Sequence, residues 1–167
     1  MRELRARLAE VLALKDLRRS GWVRIGVKEP ESVAAHSWGV AWLVLVLCPE
    51  TLDRGRAVEI AILHDLAETR VGDITPHDRV DGHRKRAMEA EAMQALVRAL
   101  PRGEHLYALW REYEDGSTAE GRFVKACDKL DMALQAGHYA DQGYETREFV
   151  ESALDRLDDP TLRALLG

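Results

Sequence analysis

In the stretch Ala61 to Pro76, AILHDLAETRVGDITP, His64, Asp65, Glu68 and Asp73 stand within ten positions of one another. A solvated helix face would interleave such acids with Lys and Arg. Here Ile60, Ala61, Ile62, Leu63, Leu66 and Ala67 surround the polar residues. That pattern predicts His64 and Asp65 against the core, where a carboxylate needs a partner or a metal because burying a bare charge is costly. Adjacent helical residues project about 100° apart, so the two side chains can still converge on an ion lying off the helix. Glu68 follows His64 by four positions, on the same face and beside that ion. Gly72 then ends the helix and residues 73–76 turn. The chemistry predicted is one side of a metal centre with a catalytic acid next to it.

The rest of the centre must come from other helices. Residues 2–18 read as an amphipathic helix with Leu4, Leu8, Val11, Leu12 and Leu14 inward. Ser20 and Gly21 stop it, and residues 21–30 read as a loop. Trp22 in that loop is either a core plug or a stacking surface for a planar ligand. Ser32 caps a helix running to about Leu47, apolar on almost every side, which predicts a place in the middle of the fold. Its polar exceptions are His36 and Ser37. The central helix is predicted over 54–69. A fourth, over 81–100, carries Met88, Ala92, Leu96 and Val97, and a short one over 104–114 carries Leu106, Leu109 and Trp110. Ser117 and Glu120 read as a capping box for a helix reaching about Tyr139, with Cys127, Asp128, Lys129 and Asp131 near its middle. Short helices over 145–157 and 161–166 close the chain. No run of period two marks a strand, and no linker or repeat divides the sequence. The prediction is an all-α single domain over residues 1–167, a compact bundle of six to eight helices.

A hydrolytic metal needs a few protein ligands and open positions for water and substrate. His36, His64, Asp65 and Asp128 fall on three predicted helices, each in an apolar segment. A lone histidine in such a helix is more often a hydrogen-bonded core residue; its partnership with His64 and Asp65 makes His36 a candidate ligand. Two imidazoles and two carboxylates suit one divalent transition metal among Mn, Fe, Co, Ni and Zn. Four ligands in an octahedral shell leave one position for a nucleophilic water and one for a phosphate oxygen. His77, His83, His105 and His138 have no such setting and read as surface or ordinary structural residues.

Composition bounds the partners. The net charge is −5, with 46% hydrophobic and 32% charged residues, as in an ordinary globular protein. The longest apolar run, Val40 to Cys48, is too short to span a bilayer, and no signal-peptide pattern opens the chain. Cys48 and Cys127 make no metal-binding pair and no disulfide framework, which points to the cytoplasm. Residues 1–28 hold eight Lys or Arg against three Asp or Glu, so the remainder is acidic and a poor match for nucleic acid. The basic segment is either a solvated helix face or the seat of a single phosphate.

The order His36, His64-Asp65, Asp128 resembles the H…HD…D signature of the HD-domain metal-dependent phosphohydrolases. More narrowly, GWV at 21–23, ESVAAHS at 31–37, HDLAE at 64–68, GDITP at 72–76 and FVKACDKLDM at 123–132 are similar to the 5′-deoxynucleotidase and HD domain-containing protein 2 branch. The resemblance runs from about Arg19 to at least Gln135. It implies a helical fold, usually a homodimer, that removes phosphate from small-molecule (deoxy)nucleoside 5′-monophosphates. It also implies His36, His64, Asp65 and Asp128 as metal ligands, and Glu68 as the residue that positions or deprotonates the attacking water. Asp73 matches an aspartate near the sugar that favours 2′-deoxyribose, and Trp22 a tryptophan that helps hold the nucleotide. For the phosphate, the resemblance points to Arg19, with Arg24 in reserve.

Two other readings use the same residues. One changes the substrate to a phosphodiester or a guanosine alarmone; the short chain and the Thr69 that follows Glu68 favour the monoesterase instead. The other is a non-catalytic helical scaffold holding a structural metal, which would need neither Glu68 nor Asp73.

Overall fold

Ser32 Oγ accepts a hydrogen bond from Ala35 N and so starts the helix that orders the rest of the fold. In the computed structural model, which describes residues 1–167, the chain forms ten α-helical segments and three 3-10 turns with no strand. They are α1 (Arg2–Val11), α2 (Ser20–Arg24), α3 (Val33–Leu47), α4 (Arg54–Leu63), α5 (Glu68–Val71), α6 (Gly82–Val97), α7 (Gly103–Asp115), α8 (Ala119–Asp141), α9 (Arg147–Leu154) and α10 (Pro160–Arg163). Seven have eight residues or more, within the range expected from sequence. Helices α3, α4 and α8 pack on one another, and α7 packs on α4 and α8. Val40, Val44, Ile60, Met93, Leu96, Leu109, Val124 and Leu130 fill the space between them, each fully or almost fully buried. Burying a side chain of this size contributes about 1.5–3 kcal/mol. A smaller cluster joins Trp22 and Val27 to Ala136 and Tyr139 of α8, with Phe149 of α9 packed against it.

Several local expectations change. The first helix gives way to a 3-10 turn at Leu12–Lys15, and of its predicted inward residues only Leu14 is buried, while Leu8 and Leu12 are exposed. Ser20–Arg24 is a short helix where a loop was expected. The cap of α8 is Thr118, whose side chain accepts from Gly121 N; Glu120 instead accepts from Asp53 N, so Ser117 and Glu120 form no capping box. Helix α3 is not surrounded by protein. Its Val33, His36, Val40 and Val44 stripe is buried, whereas Trp38, Trp42, Leu45 and Val46 face outward.

The change that matters for the site lies at His64. The predicted central helix ends as α4 at Leu63, and α5 begins only at Glu68. Between them the chain keeps turning through i→i−3 bonds, Leu66 N to Leu63 O and Glu68 N to Asp65 O, each 3.0 Å. This tighter winding has about 3.0 residues per turn. It brings His64, Asp65 and Glu68 to the lining of one cleft. Gly72 ends α5 at φ 78°, a left-handed value that favours glycine.

Candidate metal centre

His36 enters from α3, His64 and Asp65 from the turn after α4, and Asp128 from α8. His36 Nε2 lies 3.3 Å from His64 Nε2, 3.2 Å from Asp128 Oδ1 and 3.6 Å from Asp65 Oδ2. His64 Nε2 is 3.2 Å from Asp65 Oδ2. The four residues predicted as ligands are therefore brought together. His64 Nδ1 donates to Ala61 O at 2.7 Å, and His36 Nδ1 lies 2.7 Å from Asp131 Oδ2. With a proton on each Nδ1, both neutral rings present lone pairs to the same point, alongside an Asp65 oxygen, and Asp128 Oδ1 approaches from the His36 side. Lone pairs crowded at these separations repel unless a positive charge stands among them. Ligand atoms about 2.0–2.2 Å from a common ion, at right angles, are separated by roughly these distances. The donor set fits a borderline divalent metal.

The cluster draws positive charge to itself, and without a metal a proton on His36 answers that pull. Burial and the Arg19 charge both oppose protonation of His36, yet the Asp128 and Asp131 carboxylates hold its pKa up at about 9. Burial would raise the Asp65 carboxyl, but His64, His36 and Arg19 keep it well below the usual carboxylate range. Asp128 is likewise held low against its burial, by Lys129 and His36. Its second oxygen accepts from Tyr113 Oη at 2.9 Å and from Lys129 Nζ at 2.8 Å, which fixes Oδ1 toward the histidines.

Glu68 is buried beside this group, and its Oε2 has no hydrogen-bond partner. Burial first, then the charges of Asp65 and Asp73, push its carboxyl up to about 10. An unpaired buried oxygen costs about 1–3 kcal/mol, and positions that bear this cost are commonly functional. Arg19 Nη1 lies 3.5 Å from Asp65 Oδ2 and 3.9 Å from Asp73 Oδ1. Asp73 Oδ2 accepts from Ser20 N at 2.6 Å and so ties the GDITP turn to the start of α2. The turn itself is capped by Thr75 with Asp78. Arg24 lies farther out, paired with Glu148 at 2.5 Å and over the Phe149 ring.

These groups line a cleft of about 560 Å³. Asp65, Glu68, Asp128, Arg19 and Asp73 line it together with Trp22, Arg24, Phe149, Lys85, Trp110 and Lys125. His36 is wholly buried and is not part of the lining. Trp22 is 1% exposed, edge-on to Tyr139 and against Phe149, with Nε1 donating to Glu31 at 2.9 Å. It is thus a core residue with one edge on the cleft. His83, His105 and His138 lie away from the site, and His77, read from sequence as a surface or ordinary structural residue, is exposed and also lines the cleft, 3.5 Å from Glu148. Sequence reasoning assigned no role to Tyr113, Lys129 or Asp131. Asp131 carries a signal in retrospect, since it follows Asp128 by three positions and shares its helix face.

The HD domain family model matches residues 11–163. The 5′-deoxynucleotidase HDDC2 of Bos taurus is 40% identical over 159 residues, covering 92% of this chain and 78% of that protein. The crystal structure of a Pyrococcus horikoshii OT3 protein superposes with a TM-score of 0.80 at 35% identity, covering 96% of this chain and 92% of that one. A protein of Magnetospirillum magnetotacticum MS-1, described as a predicted metal-dependent phosphohydrolase, superposes with a TM-score of 0.76 at 29% identity, over 96% of this chain and 86% of that one. The matched residues take in His36 of α3, the His64-Asp65 pair after α4 and Asp128 of α8, and the chain belongs to the HD-domain family.

Proposed function

We propose that the chain is a metal-dependent 5′-deoxynucleotidase that removes phosphate from (deoxy)nucleoside 5′-monophosphates. The observation that carries this reading is the meeting, in one cleft, of His64, Asp65 and Asp128, backed by the buried His36, with the unpaired Glu68 oxygen and the Arg19 guanidinium. The name of the bovine relative supports the substrate class. A divalent ion among Mn, Fe, Co, Ni and Zn, held by His36, His64, Asp65 and Asp128, supplies a Lewis acid for a phosphate oxygen and eases proton loss from water. Arg19, held by Asp65 and Asp73, neutralises the phosphate dianion, with Arg24 at the outer rim. The ionised form of Glu68, favoured by a cation beside Asp65 against the burial and acidic neighbours that raise its pKa, accepts the proton of the attacking water at Oε2 as oxygen bonds to phosphorus. The bond from phosphorus to the 5′-oxygen breaks, and the proton ends on the nucleoside 5′-hydroxyl. Trp22 packs at the nucleoside end of the cleft, and Asp73 meets the sugar, where its fixed carboxylate penalises a 2′-hydroxyl.

Phosphate release from paired ribo- and deoxyribonucleoside 5′-monophosphates, with several divalent ions added back after chelation, tests this reading. Deoxynucleotides are expected to lead by roughly ten- to two-hundred-fold in kcat/KM. Asp73→Asn should lower activity and narrow that ratio. No phosphate release with any ion would refute the assignment, and an unchanged ratio in Asp73→Asn would confine Asp73 to tying the turn to α2.

A second copy of the chain is assigned to the outer face of α3, giving a homodimer. Trp38 is 70% and Trp42 52% exposed, with ring centroids 6.5 Å apart and planes parallel, and Leu45 and Val46 extend the face. Contiguous apolar surface of this kind is rare on a monomer, and a two-fold axis lets one patch cover itself. Sedimentation should give twice the 18.8 kDa chain mass, falling to the single mass in Trp38→Glu/Trp42→Glu. A monomeric wild type at micromolar concentration would sink the assignment. Cys48 and Cys127 are both free and buried, which suits a reducing compartment, and the cytoplasm is the proposed location. No helix is long and apolar enough to cross a membrane.

A further inference from the structure

Gly39 sits inside α3, where a glycine weakens a helix and where its own backbone needs no left-handed conformation. The reason for it stands across the helix interface. A Cβ at this position would fall well inside contact distance of Asp131 Oδ1, so the carboxylate of α8 occupies the space of a Gly39 side chain. The other oxygen of that carboxylate is 2.7 Å from His36 Nδ1, and His36 lies one helical turn before Gly39. Glu31, another carboxylate near the ring, accepts instead from Trp22 Nε1.

A neutral imidazole can carry its proton on either nitrogen, and only one arrangement leaves Nε2 free to bind a cation. An acceptor on Nδ1 selects that arrangement, fixes the ring plane and makes Nε2 more basic. For His64 the acceptor is a neutral carbonyl, Ala61 O; for His36 it is a carboxylate, whose hydrogen bonds are stronger. We propose that Asp131 is the positioning residue of the metal centre, acting through His36, and that Gly39 exists to admit its carboxylate. This rests on the metal centre proposed above.

Binding of Co²⁺ or Mn²⁺ to the chelator-stripped protein, followed by calorimetry beside melting of the metal-free protein, separates the possibilities. Asp131→Ala is expected to weaken ion binding by ~10–100-fold. Asp131→Asn, whose amide oxygen still accepts from Nδ1–H, should recover part of that loss. Gly39→Ala should weaken binding in the same direction, and the double variant Gly39→Ala/Asp131→Ala should bind no worse than Asp131→Ala, because the methyl then displaces nothing. Wild-type affinity in Asp131→Ala, with only a lower melting temperature, would assign Asp131 to packing and overturn the proposal. Losses that simply add in the double variant would overturn the link to Gly39. A wild-type chain that takes up no ion would remove the metal centre itself, a different result from a centre that binds without help from Asp131.

Discussion

Glu68→Ala is expected to lower kcat by ~10²–10⁴, the usual worth of a positioned proton acceptor, while metal content stays at the wild-type level. The residue is buried beside Asp65, yet no contact places it among the ligand atoms, and its Oε2 has no partner of its own. Removing it takes away the proton acceptor and leaves the cluster of His36, His64, Asp65 and Asp128 in place. Turnover near wild type would assign water activation to the metal alone. The same carboxyl gives a second signature in metal-free protein. Its pKa is raised from an ordinary 4.5 to about 10, so the folded chain keeps a proton that the unfolded chain releases. Stability from this group is full below about pH 4.5 and is lost as pH rises toward about 10. Glu68→Gln should therefore flatten the decline of stability across that window. An unaltered slope would mean that the carboxyl ionises freely in the fold.

Asp65→Ala is expected to abolish retention of the divalent ion and to lower the melting temperature of the metal-loaded protein. Asp65 faces both imidazoles and the Arg19 guanidinium, so its loss leaves several groups short of an opposing charge. Breaking a buried charge network from one side typically costs about 3–5 kcal/mol. Folding and metal binding are coupled, so part of the loss should appear only when the ion is present. Elemental analysis after gel filtration checks the first half, and melting with and without chelator the second. Full metal content in the variant would remove Asp65 from the ligand set.

The candidate ligands were legible in the sequence because His36 and His64-Asp65 interrupt apolar helical stretches, and because their order with Asp128 resembles the H…HD…D signature. What could not be read was the shape of the turn carrying them. Apolar residues continue through Leu66 and Ala67, so the pattern across His64 looks helical to the end, while the hydrogen bonds shorten to i→i−3. The cap of α8 was misplaced by one residue, since Ser117 and Thr118 offer the same hydroxyl and only geometry chooses. Helix α3 shows a deeper limit. Hydrophobic periodicity reports which residues avoid water, and Trp38 and Trp42 satisfy that description whether covered by their own chain or by another. Asp131 escaped for a related reason: its spacing from Asp128 marks a shared helix face, but its partner His36 is 95 residues away and the spacing does not name that partner.

That separation also has a meaning in time. The proposed ligands come from α3, the turn after α4, and α8, and no one of these segments carries all four. Closing the stretch between His64 and Asp128 is a slow, entropically costly step that the chain completes by packing its helices. A cation taken up by the proposed centre would then meet a bundle that is already assembled. Stabilisation that arrives after the folding barrier slows escape from the native state and leaves the climb toward it unchanged. In the comparison with chelator, the metal's contribution should thus lie in the unfolding limb, as a latch closed after the helices have met.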